Sequence, residues 1–248
     1  TLFPYTTLFR STLYTFCGVN PLLSLAVCGP VLLLVGYFLH KTLYRSIRIS
    51  SGGAAAFESN SMLASFGLLF IIQNLAILIW GASIKGYSYL ALPVTVGGVI
   101  FPANRLVTLL FAALICAVFY FFLARTRIGK AIRAAAQDPE AAGLMGVNIN
   151  QVLALCFGLG ALMAGLAGTL LSMCFRVQPT MGLEYTLIAI IVVVLGGLGS
   201  IPGSFIGGFI LGLIGSIVSA IEPSLSLVAY YVIFMLLLLV KPKGLLGR

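Results

Sequence analysis

Seven runs of mostly apolar residues, each near the length that crosses the hydrocarbon core of a bilayer, follow one another along this chain of 248 residues. About 20 such residues are needed, because an α-helix rises about 1.5 Å per residue and the core is about 30 Å thick. The runs lie at Pro21 to Leu39, Met62 to Ala82, Leu106 to Ala124, Val152 to Met173, Leu183 to Leu198, Ser204 to Ile221 and Leu227 to Val240. Lipid offers no partner to a backbone N–H or C=O, so each run is expected to be helical. Composition agrees, since 61% hydrophobic and 8% charged residues leave too little polar surface to cover a water-soluble core. The expected fold is therefore all-α, a polytopic membrane helix bundle of about seven transmembrane segments. Only Gly199 to Gly203 separate the fifth and sixth runs, so that pair reads either as two crossings or as one broken helix.

The basic residues fall between the apolar runs. A net charge of +9 raises the question of nucleic acid, but no dense stripe of Lys and Arg with interleaved aromatics is present. Their placement follows the retention of basic side chains on the cytoplasmic side. Lys41, Arg45, Arg48, Arg125, Arg127, Lys130, Arg133, Lys241, Lys243 and Arg248 share one set of alternate loops, against Lys85, Arg105 and Arg176 in the other. The carboxyl terminus and the loops Lys41 to Asn60 and Arg125 to Asn148 are thus expected in the cytoplasm. Cys17, Cys28, Cys116, Cys156 and Cys174 have no CxxC spacing and read as small apolar residues, with neither metal nor disulfide implied. His40 stands at a cytoplasmic membrane edge with no catalytic partner near it in sequence.

Residues Thr1 to Ser11, TLFPYTTLFRS, have the pattern of neither a signal peptide nor a spanning helix. They resemble the in-frame translation of a sequencing adapter, and the expectation is that residues 1–11 are non-native and that residues 12–248 form the transmembrane domain, incomplete at its amino terminus.

The longest charged segment is RTRIGKAIRAAAQDPEAAGLMGVN, Arg125 to Asn148. Short helices are expected in it. Asp138 suits a cap, Pro139 the first turn behind it, Glu140 the positive end of the helix dipole and Gly146 the stop. A solvated surface helix is the plain reading of such a loop. At membrane depth, Gln73 and Asn74 are costly polar residues, suited either to bonding another helix or to a substrate path. Glu184 reads as a carboxylate at a helix start near water. Gly203 with Gly207, and Gly208 with Gly212, place small residues four apart, which lets helix backbones approach in lipid. The break GGLGSIPG, with Gly197, Gly199, Pro202 and Gly203, frees backbone groups that a protein-lined or watery cavity would have to satisfy.

The spacing Glu140, Ala141, Ala142, three residues, Gly146 resembles the EAAxxxG coupling motif of ABC import permeases, and the whole segment from Arg125 to Asn148 is similar to the high-affinity branched-chain amino-acid permeases. The resemblance continues through GLGALMAGLAGTLL (Gly158 to Leu171), VVVLGGLGSIPGSFIGGFILGLI (Val192 to Ile214) and KPKGLLG (Lys241 to Gly247), and more weakly through LLFIIQNLAILIWG (Leu68 to Gly81). It implies a permease subunit of an ATP-driven importer of branched-chain or related hydrophobic amino acids, multi-pass in a bacterial inner membrane. It implies as partners the ABC ATPase subunits, a second permease subunit and an extracytoplasmic substrate-binding protein, beside membrane lipid. In that family the loop helix, with Asp138, Pro139, Glu140, Ala141, Ala142 and Gly146, is implied to dock in a cleft of the ATPase. The chain itself has no GxxxxGK[ST], so ATP hydrolysis is expected in the partner subunits, and no cofactor is implied. The departure from the family is expected at the front, where the resemblance implies earlier spans. Urea, short-amide and sugar permeases share related architecture. A membrane enzyme lacks any HExxH, paired carboxylates or Ser-His constellation, and a channel or secondary carrier has no need of the coupling segment.

Overall fold

The computed structural model describes residues 21–50, 54–81, 93–96, 99–176, 178, 181–197, 199–222, 225–241 and 244. The expectation for Thr1 to Ser11 therefore lies outside the described residues, as do Lys85, Lys243 and Arg248. Ten helices are described: α1 (Pro21–Leu39), α2 (Arg45–Ser50), α3 (Ala54–Trp80), α4 (Ala103–Arg125), α5 (Arg127–Gln137), α6 (Pro139–Leu144), α7 (Ile149–Cys174), α8 (Gly182–Gly196), α9 (Ile201–Ile221) and α10 (Ser226–Val240). A helix is described within each of the seven apolar runs, so the all-α, polytopic architecture stands. Four described helices, Ser59–Ile79 within α3, then α4, α7 and α9, are long and apolar enough to cross a membrane, while α8 and α10 are shorter apolar helices. Their many exposed Leu, Ile, Val and Phe side chains have no place in water, and lipid is the solvent that accepts them.

Two local features depart from expectation. The described residues between Lys41 and Asn60 are helical: α1 runs through a π-helical turn, His40–Tyr44, straight into α2, and α3 begins at Ala54. A small antiparallel hairpin, β1 (Pro93–Val96) with β2 (Val99–Pro102), precedes α4. It leaves the fold class unchanged.

The chain divides into two compact units, residues 1–182 and 183–248. In the first, α1 packs along α7 through small residues. A methyl group placed on Gly36 would meet Ala161 Cβ at 2.7 Å and Gly158 Cα at 3.1 Å, and one on Gly158 would meet the Leu33 carbonyl oxygen at 3.0 Å. Leu32 fills the space that Gly165 leaves open. Backbones this close gain dispersion contacts that larger residues would forbid, which is how helices associate where lipid is as apolar as leucine. At the other end of α7, Asn104 Nδ2 of α4 donates to the Met173 carbonyl at 2.9 Å, and Thr108 Oγ1 lies 3.3 Å from Cys174 Sγ.

In the second unit α8 and α9 form a tight helical hairpin. Gly196 lies against the backbone of Gly203 and Ser204, and Gly207 faces Gly196 and the Val192 carbonyl. Beyond the crossing, Ile191, Leu195 and Leu211 make a buried cluster backed by Tyr230, Ile233, Phe234 and Leu237 of α10.

Candidate functional site

The segment between α4 and α7 is built from four successive capping devices. Thr126 Oγ1 accepts from the Gly129 N–H at 3.0 Å and starts α5. Gly129 has to be glycine there, because a methyl group would meet Leu123 Cα at 2.6 Å, and that close approach folds α5 back on the end of α4. Arg133 Nη2 adds a hydrogen bond to the Ala124 carbonyl at 3.2 Å. The helix is amphipathic, with Arg127, Lys130 and Arg133 at intervals of three on one face and Ile128, Ala131, Ile132 and Ala135 on the other.

Asp138 then opens α6. Its Oδ1 accepts from the N–H groups of Glu140 and Ala141, each at 3.0 Å, Pro139 occupies the first turn and Glu140 sets its charge against the positive end of the dipole. Gly146, at φ 85°, ends it in a Schellman arrangement: its N–H donates to the Gly143 carbonyl, and the Val147 N–H to the Ala142 carbonyl. Asn148 follows at once as the cap of α7, its Oδ1 accepting from the Gln151 N–H at 3.3 Å. The result is a short, fixed helix held between two spanning helices.

What α6 presents was only partly legible. Ala142 is 5% exposed and packs inward, so of the two alanines Ala141 alone is offered to a partner. The tip is instead Leu144 and Met145, 90% and 85% exposed, two apolar side chains that the capping argument passes over. Their position just before the glycine stop is the signal that marks them.

The remaining sequence candidates lie elsewhere. Gln73 and Asn74 sit in the middle of α3, Gln73 half-buried and Asn74 exposed. The Asn74 amide donates to the Phe70 carbonyl of its own helix at 2.8 Å, which satisfies the donor without a neighbouring helix. At the break, Gly197 and Gly199 take positive φ values of 100° and 87°. Ser200 Oγ accepts from the Gly203 N–H, Pro202 stands in the first turn of α9, and the Ser200 N–H donates back to Gly197. These bonds satisfy turn groups that the sequence reading leaves open, and α8 and α9 turn back on each other and do not continue one axis. Gly244, also at positive φ, seats directly on Gly197, where a methyl group would come within 2.6 Å of Gly197 Cα. Among the described residues no cluster of His, Cys, Asp and Glu could hold a metal ion.

Residues 8–240 match the family described as branched-chain amino acid transport system, permease component. The chain belongs to that family. Among its relatives, the high-affinity branched-chain amino acid transport system permease protein LivH of Escherichia coli K12 is 40% identical over 129 residues, 51% of this chain and 42% of that protein. The matched region thus spans less than half of that relative's length. The corresponding protein BraD of Pseudomonas aeruginosa is 29% identical over 251 residues, 96% of this chain and 80% of its own. The ribose import permease RbsC of Escherichia coli K12 is 37% identical over a shorter stretch, 36% of this chain and 30% of that protein. No solved structure matches. As a family member the chain is a multi-pass membrane protein.

Proposed function

We propose that this chain is the membrane-spanning permease subunit of an ATP-driven importer of branched-chain or related hydrophobic amino acids in a bacterial inner membrane. The observation that carries the reading is the α5–α6 segment within a chain matched along nearly its whole length to branched-chain amino acid permeases. ATPase subunits dock on α6, whose Asp138 cap and Gly146 stop fix the direction of the helix while Glu140, Ala141, Leu144 and Met145 meet the partner cleft. A rigid connector is what transmission needs, because nucleotide-driven movement of the ATPase reaches α4 and α7 only if the link between them does not yield. A second permease subunit and an extracytoplasmic binding protein complete the importer, and Gln73 and Asn74 on α3 belong to its substrate path. The hairpin glycines Gly197, Gly199, Gly203 and Gly207 set the packing of α8 on α9.

Orientation follows from the basic residues, with the carboxyl terminus and α5–α6 cytoplasmic. The substrate class rests on the relatives' names, and the lesser likeness to a ribose permease supports no change of class. Copurification tests the docking. The complete permease, tagged and coexpressed with its ATPase subunits, is expected to retain them, and replacement of Leu144 and Met145 by Ser is expected to release them. Unchanged retention in that variant would overturn the assignment of α6.

A further inference from the structure

A cavity of about 270 Å³ opens beside the π-helical turn at the end of α1, and its wall is strongly basic. His40, Lys41, Arg45 and Arg48 reach it from one face of the continuous α1–α2 helix, since positions 41, 45 and 48 are four and three residues apart. Across from them stand Asn150 and Gln151 in the first turn of α7, a helix of 26 residues whose positive dipole end opens into the same space. Among the described residues lining the cavity none is Asp or Glu. Four potential cationic groups, three amides (Asn148, Asn150 and Gln151) and a helix N-terminus thus converge with no carboxylate among the described lining residues, an arrangement that suits an anion.

The surroundings hold this wall in place. Arg48 Nη1 donates to Asn150 Oδ1 at 3.1 Å and ties the two helices together. The His40 ring stacks on Tyr44 and tilts against Phe157 with centroids 6.0 Å away, and the Tyr44 hydroxyl lies 2.7 Å from Ser65 Oγ of α3. The π turn from His40 to Tyr44 is closed by the Arg45 N–H on the His40 carbonyl. Such one-turn widenings are rare and are frequent at functional sites. Lys41, Arg45 and Arg48 are exposed, so a ligand reaches them from the aqueous or headgroup layer without opening the bundle.

We infer that this cavity binds a phosphate group, as the headgroup of an anionic phospholipid or as free phosphate, clamped by Lys41, Arg45 and Arg48 against the start of α7. Guanidinium pairs suit phosphate oxygens bidentately, and basic pockets between helices on the cytoplasmic side recognise anionic headgroups through the same chemistry. A bound anion also bridges α1–α2 to the residue that caps α7, Asn148, and so touches the base of the α5–α6 segment.

The test uses the purified protein in neutral phosphatidylcholine nanodiscs, with inorganic phosphate added in one arm and phosphatidylglycerol doped into the lipid in the other. Binding is read by native mass spectrometry and by the single imidazole of the chain, His40. Among the described lining residues, Lys41 of the π turn and Arg45 and Arg48 of α2 are the charged groups around that ring, while α3 and α7 contribute uncharged Phe57, Asn150, Gln151, Leu153 and Ala154. An anion among them raises the His40 titration midpoint. The expected result is retention of phosphate or phosphatidylglycerol, with the upward shift, and at least tenfold weaker retention in the Arg45→Gln and Arg48→Gln variants. Arg133→Gln, whose residue lies outside the cavity, retains wild-type binding. Response to phosphatidylglycerol alone assigns the lipid headgroup, and response to phosphate assigns the free anion. Absence of binding in both arms, or equal loss in Arg133→Gln, would overturn the inference. None of these readouts depends on transport.

Discussion

Replacing Gly36 by Ala probes the α1–α7 contact on which the first unit is built. The added methyl would sit 2.7 Å from Ala161 Cβ, 3.1 Å from Gly158 Cα and 3.2 Å from the Phe157 carbonyl oxygen. Ordinary carbon contacts are about 3.5–4.0 Å, so the helices must part by roughly 1 Å, and no flexible side chain is available to yield instead. Overpacking of that kind costs about 1–3 kcal/mol. Gly160→Ala on α7 is the matched control, because nothing lies within 4 Å of its methyl and the change gains about 0.5–1 kcal/mol of helix propensity. Gly158→Ala, whose nearest contact is 3.0 Å, falls between. In a chain of this size 1 kcal/mol moves an unfolding midpoint by roughly 2–4 °C. Thermal unfolding in mild detergent is therefore expected to place Gly36→Ala below Gly160→Ala by about 3 °C or more. Adding Ala161→Gly to Gly36→Ala removes the closest clash and recovers part of the loss, a coupling that a double-mutant cycle measures. Equal midpoints for Gly36→Ala and Gly160→Ala, or additivity in the cycle, would refute the packing argument.

Four further outcomes follow from the same reasoning. Asp138→Ala removes the acceptor for two N–H groups and is expected to cost α6 about 1 kcal/mol, seen as faster amide exchange at Glu140 and Ala141, while Asp138→Asn stays near wild type. Gly244→Leu is expected to lower the unfolding midpoint, because its side chain has no room over Gly197; an unchanged midpoint counts against that seat. Burial, then the Arg48 charge, lowers the His40 pKa below its ordinary 6.5, so the folded protein binds fewer protons than the unfolded one and stability falls as pH drops through about 6.5. His40→Gln removes that dependence, and an unfolding midpoint equally pH-dependent in the variant would exclude His40 as its source. In a cysteine-free background, a cysteine at position 127 is expected to resist an impermeant thiol reagent in intact cells and to react once the membrane is opened; modification in intact cells reverses the orientation.

The apolar runs were legible because the bilayer imposes both their length and their helicity, and the caps because Asp138-Pro139-Glu140 and Gly146 carry local chemistry that needs no partner. Tertiary detail was not. A spanning helix surrounded by lipid lacks the polar face that tells a soluble helix which side is buried, so nothing in GLGALMAG marks Gly158 and Ala161 as the residues that meet Gly36. The same limit hid the inward turn of Ala142 and the exposed Leu144 and Met145 tip, since small and large apolar residues read alike before the helix axis is fixed. Asn74 went to the carbonyl one turn back, a local partner always within reach of a helical asparagine. Lys41 to Asn60 read as a loop from its charge and polarity, yet the π turn carries the helix on to Ser50, which also gathers the basic wall of the cavity. The GGLGSIPG break was legible as a break; its fold-back depends on Gly196 and Gly203 admitting each other's backbone, a contact without a sequence period.

The central claim is that α6 couples this permease to ATP. Its most direct test is branched-chain amino acid uptake by proteoliposomes holding the complete permease, its partner permease and its ATPase subunits, with the binding protein outside and ATP within. Accumulation is expected to require ATP and to fall at least tenfold on replacing Gly146 with Val, which the φ of 85° does not accommodate, or on replacing Glu140 with Lys. Accumulation that proceeds without ATP, or that both variants support at the wild-type rate, would contradict the account.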